Sequence, residues 1–453
     1  MEITEYHNII NAVKSLILGT KFENKVYSVG GCERDRILGN EIKDIDFAVE
    51  LKNGGIELGR YLEEKGVLLG PPVVFERYGT CKFRLREFPM HDLEAVQTRK
   101  EKYTDYNSRN PETSFGTLED DAKRRDLTIN ALYKNVSTSE IVDLFNGKSD
   151  MKKKVLRTTS EPDFVFEDDP LRIMRVIRFA SRFGWRIERE TLKSMKKNAC
   201  RLEIISRERI SEEFKKILNG NNKRIGLTYL AKTGAMKEAF CLTKFDNDVA
   251  EDIALHTFGS YEISDELLYA FNLAAFYIVY TSGIWHETTE YEMNIMIDLL
   301  KLDNKTKRLF EKFLKYAKMI AEFVSKERID EDKIKYEIRK HMFEIRDFEI
   351  HKCSAQLAMT SFADAELYTL MQDVKGYYYN ILLEIINNNV FSYDAKFPLN
   401  GDDIIENFNV SGKSVKELLD YAKEFWLLIP KSTKEDLIEI LKDGNSTIDT
   451  KLT

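Results

Sequence analysis

The chain has 453 residues, 43% hydrophobic and 32% charged, with a net charge of -7; this exceeds the size at which one core stops growing, so two to four domains are expected. That balance excludes a disordered or collagen-like chain, and no apolar run approaches the ~20 residues needed to cross a bilayer. Cys32, Cys81, Cys200, Cys241 and Cys353 form no C-x-x-C and the six histidines no H-E-x-x-H, which argues against a zinc hydrolase and for free thiols in the cytosol.

In chain order, the first ~135 residues hold the strand signals: VYSV at 26–29, DIDFAVE at 44–50, TCKFRL at 80–85 and DLEAV at 92–96. ELGRYLEEKG at 57–66 has helical spacing and a glycine stop. The stretch SVGGCERDRILGNEIKDIDF, residues 28–47, concentrates the chemistry. Alternate residues of a strand share a face, so Asp44 and Asp46 point one way with Ile45 buried behind them. Two carboxylates that close repel unless a cation joins them, and hard divalent ions such as Mg2+ favour oxygen ligands. Gly30 and Gly31, directly after a strand, expose backbone N–H groups as a phosphate cradle does. Arg34 adds charge to the same phosphates and Asp35 braces Arg34.

Next comes KRRDLTINAL at 123–132, where Arg124 and Arg125 supply phosphate-binding charge. Asp126 and Asn130, four residues apart on a helix, would share a face and grip a ribose; an amphipathic surface helix is the plainer alternative. From about residue 165 the period is 3.6 almost throughout. Asp169 and Pro170 make a helix N-terminus, after which Arg172, Arg175, Arg178 and Arg182 line one face while Ile173, Met174, Val176, Ile177, Ala180 and Phe183 line the other. Residues 171–224 hold ten Arg and six Lys against six Glu, a net +10 that leaves -17 for the rest. The Arg face should therefore meet something anionic, either solvent ions or an RNA backbone. Gly220–Asn222 and Asn387–Asn389 are the best break points among the later helices.

Joined in order, strand, G-G-x-x-R-D, short helix and D-x-D, the opening stretch resembles the nucleotidyltransferase head of the class II tRNA CCA-adding enzyme and bacterial poly(A) polymerase family, within the polymerase β superfamily. DLEAVQTRKEKY, KRRDLTINAL, VDLFNGKSDMKKKVLRT, DDPLRIMRVIRFASRFGW (with Asp168 where the family has Glu) and ISRERISEEF continue the family's motifs as far as residue 218.

The resemblance implies an α+β protein: a polymerase β-like nucleotidyltransferase head with a small mixed sheet over 1–160, a base-recognition neck over 161–225, a helical body over 226–345 and a helical, tRNA-contacting tail over 346–453. It implies that Asp44 and Asp46 hold Mg2+, that Glu94 is the third carboxylate, that Gly30, Gly31, Arg34, Arg124 and Arg125 bind the triphosphate, and that Asp126 and Asn130 select ribose. Asp169 and Arg172 would read the base without a nucleic-acid template, with Arg175 and Arg178 as further nucleotide or RNA contacts; without the surrounding motifs, Asp169 reads first as a helix cap. The polar segment 102–122 corresponds to the family's mobile loop, and Gly412, Lys413 and Lys416 open a tail helix that either binds phosphate or is capped surface.

The activity implied is addition of C, C and A from CTP and ATP to the tRNA 3' end. Alternatives are a poly(A) polymerase, an A-adding or CC-adding specialist, or a non-catalytic RNA-binding protein. No membrane partner is expected.

Overall fold

A computed structural model describes all residues except 77–78, 103–111, 243, 257–262, 282–289, 325–330, 361–380, 382–383, 386–390 and 443–453. The chain divides into two compact units, Met1–Ala254 with Leu299–Lys301, and Leu255–Asp298 with Leu302–Thr453.

The first unit begins with helix α1 (Ile3–Ile17), strand β1 (Val26–Val29), α2 (Gly31–Leu38), β2 (Ile45–Val49), α3 (Gly54–Glu64), β3 (Val73–Phe75), β4 (Thr80–Phe83) and β5 (Leu93–Gln97). A ribbon of β6 (Arg99–Lys102) and β7 (Glu112–Phe115) leads to α4 (Leu118–Lys123), β8 (Leu132–Asn135) and β9 (Ile141–Asp143). The main sheet runs β3-β4-β5-β2-β1-β8-β9. Only the β2–β5 pair is parallel within it.

Alternation decides which face is buried. Ile45, Phe47 and Val49 of β2, Leu93 and Ala95 of β5, and Cys81 and Phe83 of β4 join Ile9, Ile10, Val13 and Ile17 of α1 and Leu58 and Leu62 of α3 in one core. The intervening residues, Asp46, Glu94 and Lys82, are thereby turned to the opposite face. The strands and the α3 helix read from sequence are present. Segment 124–131 differs from its expected helix: it is a turn followed by a 3-10 turn, Thr128–Asn130, before β8. Residues 103–111 of the loop expected at 102–122 lie outside the described residues; the remainder forms β7 and α4, whose Thr117 and Asp120 make a reciprocal capping box.

After α5 (Gly147–Lys153) and β10 (Val155–Leu156) the unit is mostly helical: α6 (Pro162–Asp168), α7 (Leu171–Phe183), α8 (Arg189–Asn198), α9 (Arg207–Leu218), α10 (Lys223–Thr233) and α11 (Ala235–Phe240). The 220–222 turn lies inside this unit and packs on α7, since a Cβ on Gly220 would stand 2.2 Å from Ser181 Oγ. Residues 387–389 lie outside the described residues.

The second unit is helical. Asp265–Tyr280 is buried on every side, from Leu268 to Ile278, and packs with Asn304–Val324 and Phe348–Thr360. His341 and His351 lie in its interior, 6.0 Å apart edge to face. Burial pushes both imidazoles down to about 3, so they are neutral core side chains at physiological pH. The tail helix Lys413–Leu428 starts behind Gly412, and Lys413 pairs with Glu417 at 3.3 Å. No described helix is long and apolar enough to cross a membrane.

Candidate active site

The carboxylates meet because of strand register. Asp46 lies opposite Glu94 across the parallel β2–β5 pair and opposite Val29 across β1. Asp44 stands one residue before β2, on the same parity as Asp46. Solvent reaches Asp46, yet its surroundings desolvate it and Glu94 repels it, with Asp44 adding to the effect. Arg125 and Lys82 only partly offset this, and the Asp46 carboxyl is pushed up to about 6. Such a row is short of positive charge, which a hard divalent cation would supply; the residues fit that group. Among the described residues no three His, Cys, Asp or Glu are drawn into a closed cage, and Glu94 is engaged at 3.0 Å by Lys82.

The glycine turn adjoins this row, because Val29 is the neighbour of Asp46 and Gly30 follows it. Gly30 has φ +80°, and a Cβ there would lie 3.1 Å from Arg125 Nη1. Position 30 thus requires glycine for its backbone angle and for its space. A Cβ on Gly31 would meet Arg34 only at an ordinary 3.7 Å. Gly30→Ala is therefore expected to destabilise the protein by ~1–3 kcal/mol and Gly31→Ala by much less, which thermal melts of the two variants would check.

Around the turn runs one polar network. Arg34 donates from Nε and Nη2 to Asp35 at 3.1 and 2.7 Å and from Nη1 to the Asn130 side-chain oxygen at 2.5 Å. Asn130 donates to Asp126 at 2.8 Å, and Arg175 donates to the other Asp126 oxygen at 2.9 Å. Burial alone would raise Asp126, but Arg175 and the Asn130 amide hold it far below the usual carboxylate range. Asp126 and Asn130 are thus brought together as expected, though by the 3-10 turn rather than a helix. Arg34 also lies over the rings of Phe179 and Phe183, 5.0 and 5.4 Å from their centroids.

What the Arg face of α7 meets is this chain's own carboxylates. Arg175 pairs with Asp126 at 2.8 Å, Arg178 with Glu213 at 2.7 Å and Arg182 with Asp35 at 3.2 Å. The face is an internal seam between the sheet-bearing segment and α9, and its charge is largely satisfied within the fold. Arg172 is buried and donates to the carbonyls of Val165 and Arg124 at 3.1 and 2.7 Å. Asp169 sits one residue before the Pro170 N-cap of α7 and accepts from the Leu171 N–H at 3.2 Å, while its second oxygen pairs with Arg209 at 3.2 Å.

Two buried acids escaped the sequence reading. Asp121 accepts from Arg124, from Arg125 and from the Tyr133 hydroxyl at 2.7, 3.2 and 2.7 Å. Burial would raise it, but Arg125 and Arg124 hold it down at about 2. Arg124 and Arg125 are anchored on Asp121. Glu33, inside α2, accepts from Ser28 at 2.6 Å and from Arg36 at 2.7 Å, and also from Tyr6, fastening α2 to β1 and α1. The only sequence signal was an acid inside a short helix, which reads equally well as surface.

Residues 26–157 match the poly A polymerase head domain, and residues 184–243 match the probable RNA and SrmB-binding site of polymerase A. These two segments, the first of them holding the carboxylates and the glycine turn, are similar to the head and the RNA-binding part of poly A polymerases. It is 36% identical over 214 residues to a CCA-adding enzyme of Limosilactobacillus reuteri, covering 46% of this chain and 49% of that one, so it spans about half the length of that relative. To a tRNA nucleotidyltransferase of Schizosaccharomyces pombe it is 26% identical, over 97% of this chain and 95% of the other. The fold is that of a solved CCA-adding enzyme in apo form, with a TM-score of 0.69, 24% identity and 97% and 96% coverage. It is also that of the Bacillus stearothermophilus CCA-adding enzyme solved with CTP, with a TM-score of 0.68, 20% identity and 98% and 99% coverage. The likeness of residues 26–157 to the poly A polymerase head points to dependence on a divalent metal.

Proposed function

We propose that this chain is a cytoplasmic CCA-adding tRNA nucleotidyltransferase, which adds C, C and A from CTP and ATP to the tRNA 3' end and releases pyrophosphate. The observation that carries this reading is the register that sets Asp46 beside Glu94 and next to Val29, at the entrance of the Gly30–Gly31 turn. The names of its relatives support the choice of tRNA and of the two nucleotides.

Asp44 and Asp46 would hold Mg2+, which when bound makes the 3' hydroxyl more acidic and neutralises charge on the phosphates. The chain's own groups do the rest. Gly30, Gly31 and Arg34 place the triphosphate, and Asp126 with Asn130 receives the ribose hydroxyls. Glu94 accepts the 3' hydroxyl proton as the new O–P bond forms and the α–β phosphoanhydride breaks. Asp169 and Arg172 read the base: a carboxylate accepts from the amino groups of C and A, and a guanidinium donates to their ring nitrogens. Arg172 is preset for this by its two backbone carbonyl partners, and Asp169 by Arg209.

Purified protein with Mg2+ and each labelled NTP is offered a tRNA lacking CCA, one lacking only the terminal A, and an unrelated RNA. Three residues added to the first and one to the second support CCA addition. A long A ladder on the unrelated RNA means a poly(A) polymerase instead, and silence on all three refutes nucleotidyl transfer. Asp169→Ala should lose CTP-over-UTP preference at least tenfold while melting only slightly lower, since a helix cap is worth ~1 kcal/mol. Retained preference in this variant would leave Asp169 as a cap alone.

A further inference from the structure

Lys82 stands in the same cross-strand row as the carboxylates, opposite Glu94 on β4, as Asp46 is opposite Glu94 on β2. Adjacent strands are ~4.8 Å apart, so Glu94 is flanked by a carboxylate on one side and an ammonium on the other. The ammonium reaches Glu94 Oε2 at 3.0 Å, and both side chains keep substantial exposure, 53% and 37%. An exposed pair of this kind adds little to the fold and breaks readily. Its placement matters more: the oxygen that Lys82 occupies belongs to the acid that would complete a metal-binding set with Asp44 and Asp46.

We propose that Lys82 is a built-in counter-cation that holds Glu94 away from the metal in the nucleotide-free protein, so that loading the site requires the Lys82–Glu94 pair to open. This inference rests on the reading of Asp44 and Asp46 as the metal-holding carboxylates with Glu94 as the third acid beside them. One carboxylate oxygen cannot offer the same lone pair to an ammonium and to a divalent ion, and the two cations also repel each other. Lys82 therefore competes with the metal, and its removal should tighten binding by about two- to fivefold, the scale of one exposed ion pair.

Mn2+, an oxygen-seeking stand-in for Mg2+, is titrated into the full chain without nucleotide, with free Mn2+ followed by electron paramagnetic resonance and folding checked by thermal melts. Lys82→Met is expected to bind Mn2+ about two- to fivefold tighter than the parent protein, with Lys82→Arg close to the parent. The gain should vanish when Lys82→Met is combined with Glu94→Gln. Equal or weaker binding by Lys82→Met, or a gain that persists without Glu94, overturns the proposal while leaving the metal reading standing. If Asp46→Asn binds Mn2+ as the parent does, the metal reading fails and takes this proposal with it.

Discussion

Asp46→Asn is expected to lower kcat about 10^3-fold while leaving the protein folded, and to make the metal-free protein more heat-stable at pH 8. The rate effect follows from removing the central carboxylate of the row, where ~4 kcal/mol of transition-state stabilisation is at stake. The stability effect has the opposite sign. The folded protein raises Asp46 from the ordinary 3.8 to about 6, so it holds a proton that the unfolded chain releases. Ionisation between these values therefore costs the folded state more than the unfolded one, and the metal-free protein loses stability as pH rises from about 4 through 6. Asparagine carries no charge and escapes that loss. Melts with a chelator should show the variant above the parent at pH 8, with the gap closing towards pH 4; single-turnover kinetics with CTP measure the rate. A variant that melts lower at pH 8 would mean that Asp46 is not a repelled carboxylate.

Asp121→Asn should be the most destabilising polar change in the sheet-bearing unit. The carboxylate is fully buried and joins Arg124, Arg125 and the Tyr133 hydroxyl. Neutralising it leaves two guanidinium groups without their buried counter-charge, a change that costs ~3–5 kcal/mol and lowers the melting temperature by roughly 6–20 °C. Asp121 is depressed to about 2, so its contribution is fully present above the ordinary carboxylate range near 4 and is lost as pH falls through about 2. The gap between variant and parent should therefore stay constant from pH 8 to pH 5. Urea melts over that range check this, and a loss under 1 kcal/mol would show that the arginines find other partners. Activity should fall too, because Arg125 Nη1 is what a Cβ at position 30 would meet, and an unanchored Arg125 loosens the Gly30–Gly31 turn.

The two variants touch different parts of one site, one reached through local strand parity and the other through contacts between separate elements. Asp44, Ile45 and Asp46 could be assigned to faces because strand parity is local: Ile45 is buried, and Asp46 takes the other side. The G-G turn and the α7 helix were legible for the same reason. Glu94 came from resemblance alone, since nothing near it in sequence reveals that it lies opposite Asp46. Lys82 and Asp121 carried no signal and Glu33 only an ambiguous one, because each matters through a partner supplied by another element or another turn of chain.

The Arg face of α7 shows where local inference ends. Its periodicity correctly placed Arg175, Arg178 and Arg182 on one side, but not what lay across from them. Their partners Asp126, Glu213 and Asp35 stand 49, 35 and 147 residues away in sequence. By itself the sequence determined the central strands, the glycine turn and the α7 helix and which chemistry they bring, though not the 3-10 turn at Thr128–Asn130, because backbone periods and glycine geometry act over a few residues. Tertiary structure alone decided that Asp46 meets Glu94, that Lys82 engages Glu94, and that the basic helix is neutralised from within. Strand register and ion pairing are settled by which distant segments pack together, and that choice is made by the whole core.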